Sequence, residues 1–189
     1  MITKKTTLIE LAAITSDALE NSRITATLSG GAAVSIYTDN RYESFDLDFV
    51  TAALVNELKI ALEPLGFQHT GRPRLSVFEH PQSRWYLEFP PAPLSFGGTY
   101  VDPSDCKLID TGLGSLRIIT PTHSIMDRLI AAAAWNEPQS LEQAVLVAEA
   151  QASNVNWSAL DEWVDREGIG GDKEVIEFYQ RIGRKHPNG

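Results

Sequence analysis

The spacing of apolar residues divides the chain into a mixed first part and an entirely helical second part. Leucines and alanines recur at helical spacing over residues 6–21 and 52–65, which predicts two helices. Five short runs rich in β-branched and aromatic residues predict strands, at 24–29, 44–51, 75–80, 84–89 and 116–120. After Pro121 the apolar spacing is helical throughout. It predicts four more helices, at 122–135, 139–151, 157–168 and 172–185.

This order of elements predicts a mixed α+β fold in two parts. Residues 1–120 form a domain of helices and strands, and residues 121–189 form a C-terminal helical segment. Between the predicted strands, residues 90–105 contain four prolines and two glycines, which exclude a regular helix or a central strand. We therefore expect a long shaped loop there, and loops of this length in compact domains are often functional.

Composition and charge narrow the class of protein. The chain has 43% hydrophobic and 22% charged residues, an ordinary globular composition, and its net charge of −9 argues against a general nucleic-acid coat protein. Cys106 is the single cysteine, so an internal disulfide is impossible and a cytoplasmic location is expected. Because no apolar run reaches the roughly 18 residues that span a bilayer, we expect no membrane insertion.

Two aspartates in the predicted strand 44–51 are the first candidates for chemistry. Side chains alternate across a strand, so Asp46 and Asp48 share one face while Leu47 and Phe49 face the core. Neighbouring carboxylates raise each other's pKa unless a cation neutralises them, and Mg²⁺ prefers such oxygen ligands. The pair therefore indicates a Mg²⁺ site. The alternative is an edge strand with two solvated aspartates.

A glycine pair and a third acidic residue extend this candidate site. Gly30 and Gly31 follow the strand 24–29 and precede a short predicted helix, Ala32–Tyr37, a geometry that presents free N–H groups to a phosphate. The alternative is a plain tight turn. Glu88 lies between apolar neighbours in a predicted strand, where it either faces solvent or completes a three-carboxylate cluster. Such a cluster can hold two metal ions.

These residues carry a resemblance to a known superfamily. Gly30-Gly31 followed by Asp46-Leu47-Asp48-Phe49 resembles the signature of nucleotidyltransferases with the DNA polymerase β-like fold. With Arg41 and Ser44 added, the motif is similar to that of the abortive-infection, toxin-type nucleotidyltransferases. The resemblance covers residues 24–89 and extends weakly to 121–150. It implies a small mixed sheet flanked by helices, Mg²⁺, and transfer of a nucleoside monophosphate from an NTP such as ATP.

The resemblance also assigns roles to individual residues. Those implied in metal binding and catalysis are Asp46, Asp48 and Glu88. Those implied in nucleotide binding are Gly30, Gly31, Arg41, Ser44 and Arg128. Three positions depart from the toxin-type pattern: Arg128 replaces an expected lysine, and Ser140 and Gln143 stand near positions where aspartates are expected.

The sequence therefore predicts a Mg²⁺-dependent nucleotidyltransferase whose acceptor hydroxyl belongs to tRNA, a protein or a small molecule. The toxin-type resemblance also implies an antitoxin partner. Loop 90–105 either closes over the nucleotide, with Phe96 or Tyr100 stacking on the base, or is a passive crossover. Two rival functions stay open. One is a catalytically degenerate module that binds nucleotide or protein, which the departures support. The other is a scaffold that uses its acidic surface.

Overall fold

A seven-stranded mixed sheet, a small hairpin and seven helices make up the part of the chain that the computed structural model describes, residues 1–70, 76–135 and 137–186. The helices are α1 (Leu8–Asn21), α2 (Gly30–Tyr37), α3 (Val55–Leu62), α4 (Pro121–Trp135), α5 (Pro138–Ala150), α6 (Trp157–Glu167) and α7 (Lys173–Arg181). The strands are β1 (Ala26–Ser29), β2 (Asp46–Thr51), β3 (Gln68–His69), β4 (Ser76–Glu79), β5 (Tyr86–Phe89), β6 (Ser95–Phe96), β7 (Thr99–Tyr100), β8 (Lys107–Asp110) and β9 (Ser115–Ile118).

The large sheet is mixed, with the order β3-β4-β5-β2-β1-β9-β8. Strand β2 lies at its centre. It pairs antiparallel with β1, where Ser29 faces Asp48, and parallel with β5, where Asp48 faces Glu88. The predicted hairpin of β4 and β5 is present and antiparallel. The mixed α+β fold that the sequence predicted is confirmed.

Strand β2 separates a buried face from a face that is open to solvent. Leu47 and Phe49 are fully buried, and the Phe49 ring stacks on Phe89 with 6.1 Å between centroids. Asp46, Asp48 and Val50 alternate with them on the partly exposed face. The apolar side chains thus fix which face of the strand meets the core, and the aspartates are presented on the other.

Helix α3 is shorter than the sequence predicted. It begins at Val55, because Leu54 is its N-cap residue and donates its backbone N–H to the Glu57 carboxylate at 2.7 Å. Leu54 has the helical spacing of the apolar residues over 52–65, but its side chain is 71% exposed and lies outside the buried face of the helix. A 3₁₀ turn follows, and Gly66 ends it with a φ of 92° in the left-handed region, which glycine adopts readily.

The sequence missed the two edge strands of the sheet and a hairpin. Strand β3 has only two residues, and β8 is exposed along most of its length, so neither shows the burial alternation of an inner strand. The predicted loop 90–105 contains the β6–β7 hairpin and a 3₁₀ turn, Pro103–Asp105, so describing it as a loop throughout was wrong. Residue 75 of the predicted strand 75–80 lies outside the described residues.

Helices α4 to α7 continue the core of the sheet region. Tyr37, at the end of α2, donates its hydroxyl to Ile119 O at 2.6 Å, and its carbonyl accepts from Gln151 at 2.8 Å. A single cluster of buried apolar side chains includes residues of both parts. The division at residues 120 and 121, where α4 begins, stays a prediction. Within the described ranges, no helix combines the length and apolar content needed to cross a bilayer.

Candidate active site

Three carboxylates meet on the open face of the central strands. Asp46 and Asp48 come from β2 and Glu88 from β5, and the parallel register sets Asp48 beside Glu88. Each residue offers one oxygen, and these three oxygens lie within 4.8 Å of one another. The structure therefore brings together the three residues that the sequence proposed as an acidic cluster, and it places Glu88 beside the aspartates.

Asp46 is held by hydrogen bonds to both of its carboxylate oxygens. Ser44 Oγ donates to Oδ1 at 3.0 Å, and the Tyr86 hydroxyl donates to Oδ2 at 3.3 Å. Ser44 is itself fixed, because its N–H donates to Ser35 Oγ of α2 at 2.9 Å and its carbonyl accepts from Trp85 Nε1 at 3.0 Å. The contact of Ser44 is thus with a carboxylate of the cluster, and its nucleotide-binding role stays a prediction.

The ionised form of Asp48 is disfavoured in the absence of a cation. The pKa of Asp48 is raised from 3.8 to about 7, first by burial and then by the negative charges of Asp46, Glu88 and Asp127, while Arg128 lowers it. A divalent cation would offset this repulsion and stabilise the ionised carboxylate. The oxygen donors, their mutual distances and this excess of negative charge all fit a hard cation such as Mg²⁺.

In the metal-free protein, the Asp48→Asn variant is expected to melt at a higher temperature than wild type at pH 8. The folded state binds the Asp48 proton more tightly than the unfolded state, so wild type loses stability as pH rises from about 4 to about 7. Asparagine carries no charge at any of these pH values. Thermal melts of both proteins in EDTA at pH 5 and pH 8 measure the difference, which should grow with pH. A difference that is independent of pH would contradict the assignment.

Helix α2 begins directly beside the acidic cluster. Gly30 has a φ of 64°, and a Cβ at this position would overlap Asp48 Oδ2, so both backbone and space require glycine. A Cβ at Gly31 would lie 2.9 Å from Ser44 Oγ. Ser29, the N-cap residue, makes no side-chain hydrogen bond to the helix. The first turn of α2 therefore presents N–H groups without a side-chain cap, next to the carboxylates, as a phosphate cradle requires.

A cleft of about 310 Å³ lies between the start of α2 and helix α4. Gly30, Asp48, Asp127 and Arg128 are among its lining residues. Arg128 donates from Nη2 and Nε to Asp127 Oδ2 at 2.8 and 3.2 Å, and from Nη1 to Gln143 Oε1 at 3.2 Å. The Arg128 guanidinium therefore lies at the cleft that Asp48 lines, and its positive charge lowers the pKa of Asp48.

Asp127 is a member of this site that the sequence did not single out. It precedes Arg128 in α4, far along the chain from β2, and only the packing of α4 brings it to Asp48. Its sole signal in the sequence is its adjacency to Arg128. Two of the residues that depart from the toxin-type pattern make different contacts. Gln143 accepts a hydrogen bond from Arg128, whereas Ser140 donates one to Glu137 at 3.1 Å.

Three other candidates, Arg41, Phe96 and Tyr100, have different surroundings. Arg41 donates to Leu146 O of α5 at 3.2 Å and pairs with Glu149 at 3.6 Å, so these contacts tie it to the C-terminal helices. Its nucleotide-binding role stays a prediction. Phe96 is only 1% exposed, which is incompatible with stacking on a base in this conformation, whereas Tyr100 is 73% exposed.

Solved structures similar to this chain have the nucleotidyltransferase fold. An antigenic nucleotidyltransferase-like protein from Paracoccidioides brasiliensis matches with a TM-score of 0.62 and 11% identity, over 98% of this chain and 96% of that one. The antibiotic-resistance factor ANT(2'')-Ia matches in solution with a TM-score of 0.52 and 18% identity, over 89% of this chain and 95% of that one. Its crystal structure in complex with adenylyl-2''-tobramycin has a TM-score of 0.52 and 16% identity, with coverages of 92% and 97%.

The sequence itself matches no protein-family model and no curated protein. At these identities the structural likeness establishes the fold. The fold that the Gly-Gly and Asp-Leu-Asp motifs implied is therefore confirmed.

Proposed function

We propose that this protein is a nucleotidyltransferase that moves a nucleoside monophosphate from an NTP to an acceptor hydroxyl. The observation that carries the proposal is the cluster of Asp46, Asp48 and Glu88, which a glycine-opened helix adjoins. A plain edge strand has no need of three carboxylates with oxygens within 4.8 Å of one another. It also has no need of a glycine whose missing Cβ leaves room for one of them.

The chain's own residues supply the positioning for this reaction. The uncapped N–H groups at Gly30 and Gly31 and the positive end of α2 bind the negative triphosphate. The guanidinium of Arg128 exchanges part of its contact with Asp127 for a phosphate oxygen. Catalysis then comes mainly from holding the acceptor oxygen in line with the bond between the α- and β-phosphates.

Asp46, Asp48 and Glu88 are the residues that would hold Mg²⁺. When bound, Mg²⁺ supplies charge neutralisation at the triphosphate. Ser44 and Tyr86 keep the Asp46 carboxylate oriented for this role. Glu88 accepts the proton of the acceptor hydroxyl as the new oxygen–phosphorus bond forms, and pyrophosphate leaves with the electrons of the broken bond.

The acceptor is best sought among small molecules. The net charge of −9 disfavours a long RNA, although tRNA and protein hydroxyls stay open. ANT(2'')-Ia, which has the same fold, was crystallised with an adenylylated antibiotic, and this supports a small-molecule acceptor by analogy. An antitoxin partner and a cytoplasmic location are predictions that rest on sequence alone.

A degenerate, nucleotide-binding module is the second candidate. It is favoured by the setting of Arg128, which is engaged by both Asp127 and Gln143. It predicts nucleotide binding without turnover.

Thermal melts with each NTP, with and without Mg²⁺, test these proposals. A ligand present at about 100 times its Kd adds roughly 2.7 kcal/mol of stability. We expect a Mg²⁺-dependent rise in wild type that disappears in the Asp46→Asn/Asp48→Asn double variant. Binding together with release of pyrophosphate supports the transferase, and binding without any turnover supports the degenerate module. The absence of any NTP-dependent rise would overturn both.

A further inference from the structure

The small β6–β7 hairpin is part of the wall of the cleft that Asp48 lines. Ser95 and Phe96 of β6 line this cleft together with Pro93 and Leu94. Each strand of the hairpin has only two residues, and so short a pairing has little stability of its own in water. The shape of this wall therefore depends on the contacts that hold the hairpin from outside.

Helix α6 holds the turn of the hairpin through the carboxylate of its last residue, Glu167. Oε2 of Glu167 accepts the Gly98 N–H at 2.8 Å, and Oε1 accepts the Thr99 hydroxyl at 2.5 Å. We call these two contacts the Glu167 clamp. Arg166 donates from Nη2 to Thr99 Oγ1 at 3.2 Å, so a second residue of α6 holds the same hydroxyl. The hydrogen bonds from Thr99 and Gly98 lower the pKa of Glu167, which keeps the carboxylate charged at neutral pH.

The sequence of the turn is suited to this contact. Gly97 has a φ of 63°, in the left-handed region, and a Cβ there would overlap Glu167 Oε2. The approach of the carboxylate thus requires glycine at this position. Trp163, four residues before Glu167 and on the same side of α6, donates from Nε1 to Phe96 O at 3.3 Å. One face of α6 therefore holds both the strand that lines the cleft and the turn that follows it.

We propose that Glu167 is a positioning residue for the nucleotide site, through which helix α6 sets the affinity of the cleft for NTP. The Glu167 clamp keeps the β6–β7 hairpin against the cleft, and molecules whose hairpin has moved away bind NTP poorly. The apparent Kd then equals the Kd of the clamped form divided by the fraction of molecules that are clamped. The inference rests on the proposed function for the identity of the ligand, but the clamp itself can be measured without nucleotide.

Amide hydrogen exchange in the full chain, without nucleotide or metal, tests the clamp. Glu167→Ala removes both acceptors, so we expect the Gly98 amide to exchange at least about tenfold faster than in wild type. Glu162→Ala is the matched control. It removes the same side chain and charge from the same helix, where the Glu162 carboxylate accepts from Ser158 Oγ at 3.2 Å, and it should leave exchange at Gly98 unchanged. Equal exchange in wild type and Glu167→Ala would overturn the clamp.

Calorimetric titration with ATP, GTP, CTP and UTP, each with Mg²⁺, then measures the effect on the cleft. For the NTP that wild type binds most tightly, we expect Glu167→Ala to raise the Kd about tenfold, which corresponds to a clamped fraction of about one tenth. Glu162→Ala should leave the Kd unchanged. Glu167→Gln should restore most of the affinity, because its amide oxygen can accept the Gly98 N–H and its amide nitrogen can donate to Thr99 Oγ1.

The kinetic constants distinguish a positioning role from a direct one. Glu167→Ala should raise the KM for the NTP and leave kcat within about twofold of wild type, because the substitution leaves the three carboxylates intact. A loss of kcat without a rise in KM would overturn the positioning role. So would a loss of affinity that Glu167→Gln does not restore.

The outcomes separate this inference from the proposed function. Faster exchange at Gly98 in Glu167→Ala with an unchanged Kd would overturn the inference, while NTP binding by wild type would still support the proposed function. If wild type binds no NTP, the proposed function fails, and control of NTP affinity by α6 fails with it. The exchange measurement would still decide whether Glu167 clamps the hairpin.

Discussion

The Asp46→Asn variant is expected to lose nucleotidyl transfer by roughly 10³-fold or more while keeping its fold. The change removes one of three clustered carboxylates, and with it charge stabilisation of several kcal/mol, where about 4 kcal/mol corresponds to roughly 10³-fold in rate. Asparagine keeps the Oδ1 acceptor for Ser44, so the local structure is retained. Pyrophosphate release from each NTP, with and without total tRNA as acceptor, measures the rate.

Asp110→Asn is the matched control for this experiment. Asp110 is exposed at the end of β8, and its Oδ1 accepts the Gly112 N–H at 2.9 Å, a bond that asparagine can also accept. It should transfer as wild type does. Wild-type rates in Asp46→Asn, with an unchanged melting temperature, would show that the acidic cluster is not the reaction centre.

Replacement of Gly30 by alanine is expected to abolish nucleotide binding and to lower the free energy of unfolding. The left-handed φ of 64° costs a non-glycine residue about 1–2 kcal/mol. In addition, the new methyl group would overlap Asp48 Oδ2. Relief of that overlap must displace either the carboxylate or the start of α2, and both belong to the proposed triphosphate site. Thermal melts with and without NTP and Mg²⁺ measure both effects.

Gly112→Ala separates the backbone cost from the steric one. Gly112 also has a positive φ, of 75°, but a Cβ there would meet no atom within 4 Å. This control should lose only the stability that a left-handed backbone costs a non-glycine residue, and it should bind nucleotide as wild type does. If the two variants were equally destabilised and both bound nucleotide, the close approach of Gly30 to Asp48 would have no functional meaning.

The central part of the site was predictable because it is encoded locally. The alternation around Leu47 and Phe49 fixes the face on which Asp46 and Asp48 lie, and this information is complete within one strand. Glu88 required one further step, the pairing of two strands. Its apolar neighbours indicated that it lay in a strand, but only the parallel register shows that it lies beside Asp48.

The rest of the site depends on contacts between distant parts of the chain. Asp127 reaches Asp48 through the packing of α4, and no spacing rule within that helix indicates it. The cleft that Asp48 lines combines Pro93, Leu94 and Phe96, from residues 90–105, with the start of α2. Proline and glycine content predicted an irregular segment there, yet composition has no information on the wall that the segment builds.

The alternating burial of the six residues of β2 determines both the position of the acidic cluster and the register of the strand. If the strand slipped by one residue against β1, the two aspartates would enter the core and Leu47 and Phe49 would face water. The alternation that places the acidic cluster on one face therefore also fixes the register in which β2 joins the sheet. An insertion or deletion of a single residue inside the strand would disrupt both the core packing and the acidic cluster. Insertions and deletions should therefore be tolerated better in the connections on either side, such as the polar stretch between α2 and Ser44.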